Sequence, residues 1–188
     1  MTSDLLSNFH RAAELAEQTA SAVRPEQLGD PTPCTDWTVR QLLNHVVGGN
    51  LAFVSLATGS PMPDRSSDFL GADHAAALRD SIAALGAVFD EPGFAERSVS
   101  TPFGPGTGQT LLEMRFNELM IHSWDLARAT GQSTDFDHDL VARSSASLRG
   151  APMLAQARGE GKPFAAEQPA PAGSTPADEL AAFVGRAV

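Results

Sequence analysis

The sequence predicts an all-α protein, an antiparallel four-helix bundle with an additional helix and a short C-terminal tail. Three observations lead there. Apolar residues recur at helical spacing in four long segments. Pro- and Gly-rich stretches separate those segments. The chain of 188 residues is 42% hydrophobic but only 6% aromatic, with no Tyr, so its core must be built largely from Leu, Val, Ala and Phe. Ala- and Leu-rich segments of this kind favour helix, because Ala loses no side-chain entropy there.

The first helix is expected from Ser3 to Val23, with Leu5, Leu6, Phe9, Ala12, Ala13, Ala16 and Ala20 on its buried side. Pro25 ends it, since a proline ring disfavours helix in the residue before it. Arg24 to Trp37 reads as a linker holding Pro25, Pro31 and Pro33. Thr38 then caps a second helix, with Gln41 at the capping-box position and Trp37 and Leu42 at the staple positions. Val39, Leu42, Leu43, Val46 and Val47 form its stripe, which continues toward Leu51 and Val54, and His45 sits beside it. After a loop from Gly59 to Gly71, a third helix is expected from about Ala72 to Phe89, stopped by Glu91-Pro92-Gly93. The turn-rich run Thr101 to Gly108 leaves room for a short extended stretch around Ser98 to Thr101.

The fourth helix is the most sharply defined, from about Thr110 to Thr130. It is apolar over much of its circumference, as a central bundle helix should be, and Gly131 is its natural stop. A fifth helix is expected from Asp135 to Gln156, weakened at Gly150 and Pro152. Residues 157–175 read as a partly extended tail. Thr175 and Pro176 open a last short helix, with Leu180, Phe183 and Val184 on one side. The implied organisation is a bundle over residues 1–156, with 157–188 as a tail packed on the same domain.

Net charge is −10, from 13 basic and 23 acidic residues. Such a surface repels phosphate backbones and anionic membranes, which argues against nucleic acid or a membrane surface as partner. No run approaches about 18 uninterrupted apolar residues, the length of a membrane span. Met1 to Leu5 lacks the basic and apolar pattern of a signal peptide. With the single cysteine, Cys34, this leads us to expect a reducing, cytoplasmic setting.

Glu118 and His122 lie four apart on the fourth helix, so their side chains share a face, roughly 5–6 Å apart at Cβ. A carboxylate and an imidazole so placed can chelate one divalent ion, and His45 is the natural third ligand. Other readings fit the same spacing: Glu118 and His122 as a surface or hydrogen-bonded pair, and His45 as a core histidine bonded to a carbonyl. Glu118 lies in the apolar run Phe116 to His122, where a carboxylate is costly unless paired or metal-bound. Asp125, three residues after His122, either orients an imidazole or pairs with Arg128 or an arginine from another helix. Cys34 reads as a small apolar residue of the linker rather than a nucleophile. His10 and His74 have no spaced partner, and His138, flanked by Asp135, Asp137 and Asp139, reads as part of a solvated acidic helix start. Gly104, Gly106 and Gly108 lack the strand and the Lys-Ser or Lys-Thr of a phosphate loop.

Two stretches resemble a known family. Pro31-Thr32-Pro33-Cys34-Thr35-Asp36-Trp37-Thr38-Val39 followed by Leu42-Leu43-Asn44-His45-Val46-Val47-Gly48-Gly49 is one. Glu118 to Gly131, with its His-x-Trp-Asp-Leu core, is the other, and the tail Ala177 to Arg186 is similar to the family's usual ending. Together they resemble the actinobacterial DinB-like proteins related to the metal-binding domain of mycothiol-dependent maleylpyruvate isomerase. The resemblance implies a DinB-type bundle, frequently a homodimer, holding zinc or nickel on His45, Glu118 and His122. It further implies a metal that binds and ionises the sulfur of a low-molecular-weight thiol, and a small-molecule substrate, as in a thiol S-transferase or isomerase-like enzyme. A non-catalytic metal-holding or sensor protein is the alternative. The isomerase proper resembles a longer chain with an added domain at its substrate site, so the implication attaches to the metal centre rather than to isomerisation.

Overall fold

The computed structural model describes residues 2–34, 36–101, 104–151, 158–159 and 164–188. Among them lie six α-helices, α1 (Thr2–Ser21), α2 (Val39–Thr58), α3 (His74–Phe89), α4 (Gly108–Thr130), α5 (His138–Gly150) and α6 (Pro176–Phe183). A 3-10 turn, Pro25–Gly29, and one antiparallel hairpin, β1 (Ser98–Thr101) and β2 (Gly104–Thr107), complete the elements. The fold is thus mostly helical, with only this small sheet.

Helices α1 to α4 form the bundle. α1 packs on α4 and α3, and α2 packs on the same two, so the four enclose one apolar core. Phe9, Leu42, Leu43, Leu85, Leu111, Leu112, Phe116 and Trp124 are all essentially sealed from solvent. Burial of this kind supplies about 25 cal/mol per Å² and is the main force holding the helices together. α5 lies against α4, and α6 against both α4 and α5.

Helix starts follow local chemistry. Thr38 accepts from the Gln41 backbone N–H while the Gln41 side chain accepts from the Thr38 N–H, the reciprocal pair expected for α2. Thr175 caps α6 in the expected way, with Asp178 as the return partner. Gly59 and Gly131 end α2 and α4 in the left-handed conformation that glycine alone adopts without strain.

Some boundaries differ from expectation. α1 stops at Ser21, and the chain turns through the 3-10 segment at once. α3 begins at His74, because Asp73 accepts from Ala76 and caps it. α4 begins two residues early, at Gly108, because Thr107 rather than a later residue caps it. The turn-rich run is a hairpin rather than a single extended stretch, with Pro105 opposite Ser100. α5 starts at His138 under an Asp137 cap and ends at Gly150. Its expected continuation toward Gln156 falls on residues 152–157, outside the described residues.

Candidate metal centre

α2 and α4 face each other, and their facing turns carry the three side chains singled out by spacing. One donor atom each from His45, Glu118 and His122 lies within 4.8 Å of the others. The imidazoles of His45 and His122 meet edge-on, with ring centroids 5.1 Å apart and planes at 82°. Trp37, just before the Thr38 cap, lies over His45 at 4.4 Å between centroids and 6.3 Å from His122. The linker thus lays an indole across both rings.

Two of the three ligand candidates are held by a polar partner behind them. His122 Nδ1 is 3.0 Å from Asp125 Oδ2. Asp125 carries the negative charge, so the His122 Nδ1–H is the donor to it, and Nε2 is the nitrogen left for a ligand role. Burial pushes the His45 imidazole down to about 4, with His122 and Arg115 acting the same way and Glu118 opposing them. His45 is therefore a neutral ring with a free lone pair at ordinary pH, the form a metal requires. Glu118 Oε2 accepts from Arg115 Nη1 at 2.9 Å.

The Arg115 guanidinium is completely buried. It donates further to Asn50 Oδ1 at 2.7 Å and to the Val46 carbonyl at 2.8 Å. Asn50 in turn donates to Ser81 on α3. A side chain at Gly49 would meet Arg115 Nη1 at 2.6 Å, so the glycine makes the slot this arginine occupies. Arg115 was not singled out by the sequence. Its only signal there is its place three residues before Glu118 on the same helix.

Asp125 is the hub of a second cluster. Fully buried, it accepts from His122, from Cys34 Sγ at 3.1 Å, and from Arg186 through Nε at 2.9 Å and Nη2 at 3.0 Å. Burial pushes its carboxyl up, but the hydrogen bonds from His122 and Arg186 outweigh this and hold it at about 2. Asp125 lies within hydrogen-bond distance of the His122 imidazole and pairs with an arginine. That arginine is Arg186, beyond the last helix, while Arg128 is exposed. Cys34 is more than linker packing, since its thiol is part of this cluster. Burial, followed by the Asp125 charge, pushes the thiol up to about 12, which removes it as a nucleophile.

The remaining histidines lie elsewhere. His10 pairs with Asp90, His74 faces the Ala20 carbonyl, and His138 pairs with Asp135. Trp124 is buried and donates to Asp178 of α6 at 2.8 Å. The triad reaches solvent at one edge, where the Glu118 side chain is 36% exposed.

Residues 9–127 match the family described as the mycothiol maleylpyruvate isomerase N-terminal domain. The chain belongs to this family. The matched span contains Cys34, His45, Arg115, Glu118, His122 and Asp125 but stops well short of Arg186. Two uncharacterized proteins from two strains of Mycobacterium tuberculosis are each 42% identical over 185 residues, 98% of this chain and 99% of theirs. The fold is similar to the crystal structure of the mycothiol-dependent maleylpyruvate isomerase, with a TM-score of 0.64 at 22% identity, covering 86% of this chain and 74% of that one. A histidine-to-alanine variant of that isomerase gives a TM-score of 0.66 at 20% identity with the same coverage. At such identity the structural likeness speaks to the fold. No described helix is long and apolar enough to cross a membrane.

Proposed function

We propose that this protein binds one divalent metal ion on His45, Glu118 and His122 and uses it in the chemistry of a low-molecular-weight thiol, as a mycothiol-type S-transferase or isomerase-like enzyme. The observation that carries the metal reading is the convergence of three donors from two helices. Two imidazoles and one carboxylate make a donor set that suits zinc or nickel and leaves a position open, as catalytic sites do. When bound, the ion supplies positive charge that favours the ionised form of a thiol sulfur.

The chain's own residues have defined parts. Asp125 keeps the His122 proton on Nδ1 and so presents Nε2 toward the shared point. Arg115 holds Glu118 and offsets its charge. Trp37 covers both imidazoles and restricts water on that side. The exposed edge of Glu118 leaves the approach for a small-molecule substrate. The thiol comes to this reading from the family, whose named member is mycothiol-dependent. A homodimer and a cytoplasmic setting belong to the same reading, and light scattering on the purified protein tests the first.

The deciding experiment measures bound metal in untagged protein. We expect about one zinc or nickel per chain in wild type and none in His45→Ala, with helical content unchanged. Metal-free wild type after incubation with zinc, nickel and cobalt would overturn the metal reading. In cobalt-substituted protein, a thiol of low molecular weight should shift the visible absorption. No shift on adding thiol would leave a metal-holding protein without thiol chemistry.

A further inference from the structure

The group Cys34, His122 and Asp125 brings its donor atoms within 4.8 Å of one another, as the first triad does. It shares His122 with that triad but differs in one respect. Arg186 Nη2 is 3.0 Å from Asp125 Oδ2 and 3.3 Å from Cys34 Sγ. A cation supplied by the chain itself already stands there. What needs explaining is why a residue beyond the last described helix is threaded beneath a candidate ligand pair on α4.

The backbone shows how it gets there. α6 ends in two tight bonds, from the Gly185 N–H to the Ala182 carbonyl at 3.0 Å and from the Arg186 N–H to the Ala181 carbonyl at 2.9 Å. This is the Schellman pattern, which reverses the chain at a glycine with positive φ. Gly185 has φ 94°, and a Cβ there would meet the Ala165 side chain and carbonyl at 2.8 Å. The reversal directs the next side chain back toward α4. α6 itself is anchored by Trp124 Nε1 on Asp178, and by Phe183 between the guanidinium groups of Arg149 at 3.9 Å and Arg158 at 4.7 Å.

Arg186 grips both oxygens of Asp125, with Nε on Oδ1 and Nη2 on Oδ2. A two-point grip fixes the plane of the carboxylate as well as its place, which a lysine point charge cannot do. The same Oδ2 receives His122 Nδ1. The orientation of the His122 ring is therefore set by a residue 64 positions further along the chain.

We propose that Arg186 is a positioning residue of the metal centre, so that docking of the C-terminal segment and binding of the metal strengthen each other. The inference rests on the metal reading above. Outer partners of ligating imidazoles typically change metal affinity by about 10–100-fold. Coupling between two binding events is reciprocal, so metal must tighten the segment as much as the segment tightens metal.

The test uses the full chain and zinc as the probe. Zinc affinity is measured by chelator competition for wild type, Arg186→Gln, Arg186→Lys and Gly185→Ala, with helical content as a check. We expect about 10–100-fold weaker zinc binding in Arg186→Gln and partial recovery in Arg186→Lys. Gly185→Ala, which keeps the arginine but strains its turn, should weaken zinc in the same direction. A second measurement needs no substitution: amide exchange over residues 176–188 in wild type should slow on adding zinc. Equal zinc affinity in wild type and Arg186→Gln, or exchange there unaffected by zinc, would overturn the positioning role alone. Wild type that binds no zinc would overturn the metal reading and this inference with it.

Discussion

Helix α4 takes part in two arginine–carboxylate pairs, whose carboxylates lie one on each side of His122, and they are built in opposite ways. Arg115 and Glu118 are three residues apart on one helix, and the arginine is the buried partner while the carboxylate reaches solvent. Arg186 and Asp125 are 61 residues apart, and there the carboxylate is the buried partner. The first pair presents a candidate ligand directly. The second acts through an imidazole. The comparison teaches that a site can be held locally on its solvent side and by a distant segment on its core side. The two halves should then fail differently.

The largest effect is expected at the core-side hub. Asp125→Ala removes the acceptor of four hydrogen bonds and leaves Arg186 buried without a counter-charge. We expect a loss of about 3–5 kcal/mol in chemical denaturation. If the loss is under 1 kcal/mol, the second pair is not the buried anchor described here.

Arg115→Met tests the other pair. It strips partners from Asn50 Oδ1 and the Val46 carbonyl, both deep in the bundle, while Glu118 can turn to water. We expect a smaller loss, about 2–3 kcal/mol, from the unpaired groups, with zinc affinity altered through Glu118 rather than His122. A loss exceeding that of Asp125→Ala would reverse the comparison.

Gly49→Ala perturbs the Arg115 slot without touching a charge. The new methyl group would meet Nη1 at 2.6 Å, so the guanidinium must move, and overpacking of this kind costs about 1–3 kcal/mol. Full stability with unchanged zinc affinity would show the slot to be looser than its geometry suggests.

The mildest test reads pH. The Cys34 thiol is raised from 9.0 to about 12, so it should alkylate far more slowly at pH 8 in the folded protein than after unfolding. The sign for stability follows from the same shift. Below pH 9 the thiol is protonated in both states and contributes fully. As pH climbs from about 9 toward 12 the unfolded chain ionises first, and that stability is lost. Equal alkylation rates in the two states would place Cys34 outside the Asp125 cluster.

Much of this fold is legible in the sequence, for a local reason. Thr38 with Gln41, Gly131, and Thr175 with Pro176 mark helix ends because a cap satisfies backbone groups within a few residues. Asp73 and Thr107 cap α3 and α4 by the same chemistry, and placing those starts at Ala72 and Thr110 overlooked them. The Glu118 and His122 spacing is likewise local, and His45 followed from its place beside a buried stripe.

Three residues escaped that logic. Cys34 looks like one small linker residue until the bundle closes and brings it to Asp125. Arg115 looks like one more charge on a helix until α2 covers it and Gly49 makes room. Arg186 sits in the quoted tail, yet nothing within ten residues of it hints at α4. By itself, the sequence determined the helices and several of their caps, and it singled out three side chains as candidates to share an ion, because periodicity and capping act over one to three turns. Only the tertiary structure decided which groups stand behind those side chains. Burial and long-range pairing depend on which segments the core packs together, and spacing along the chain does not carry that information.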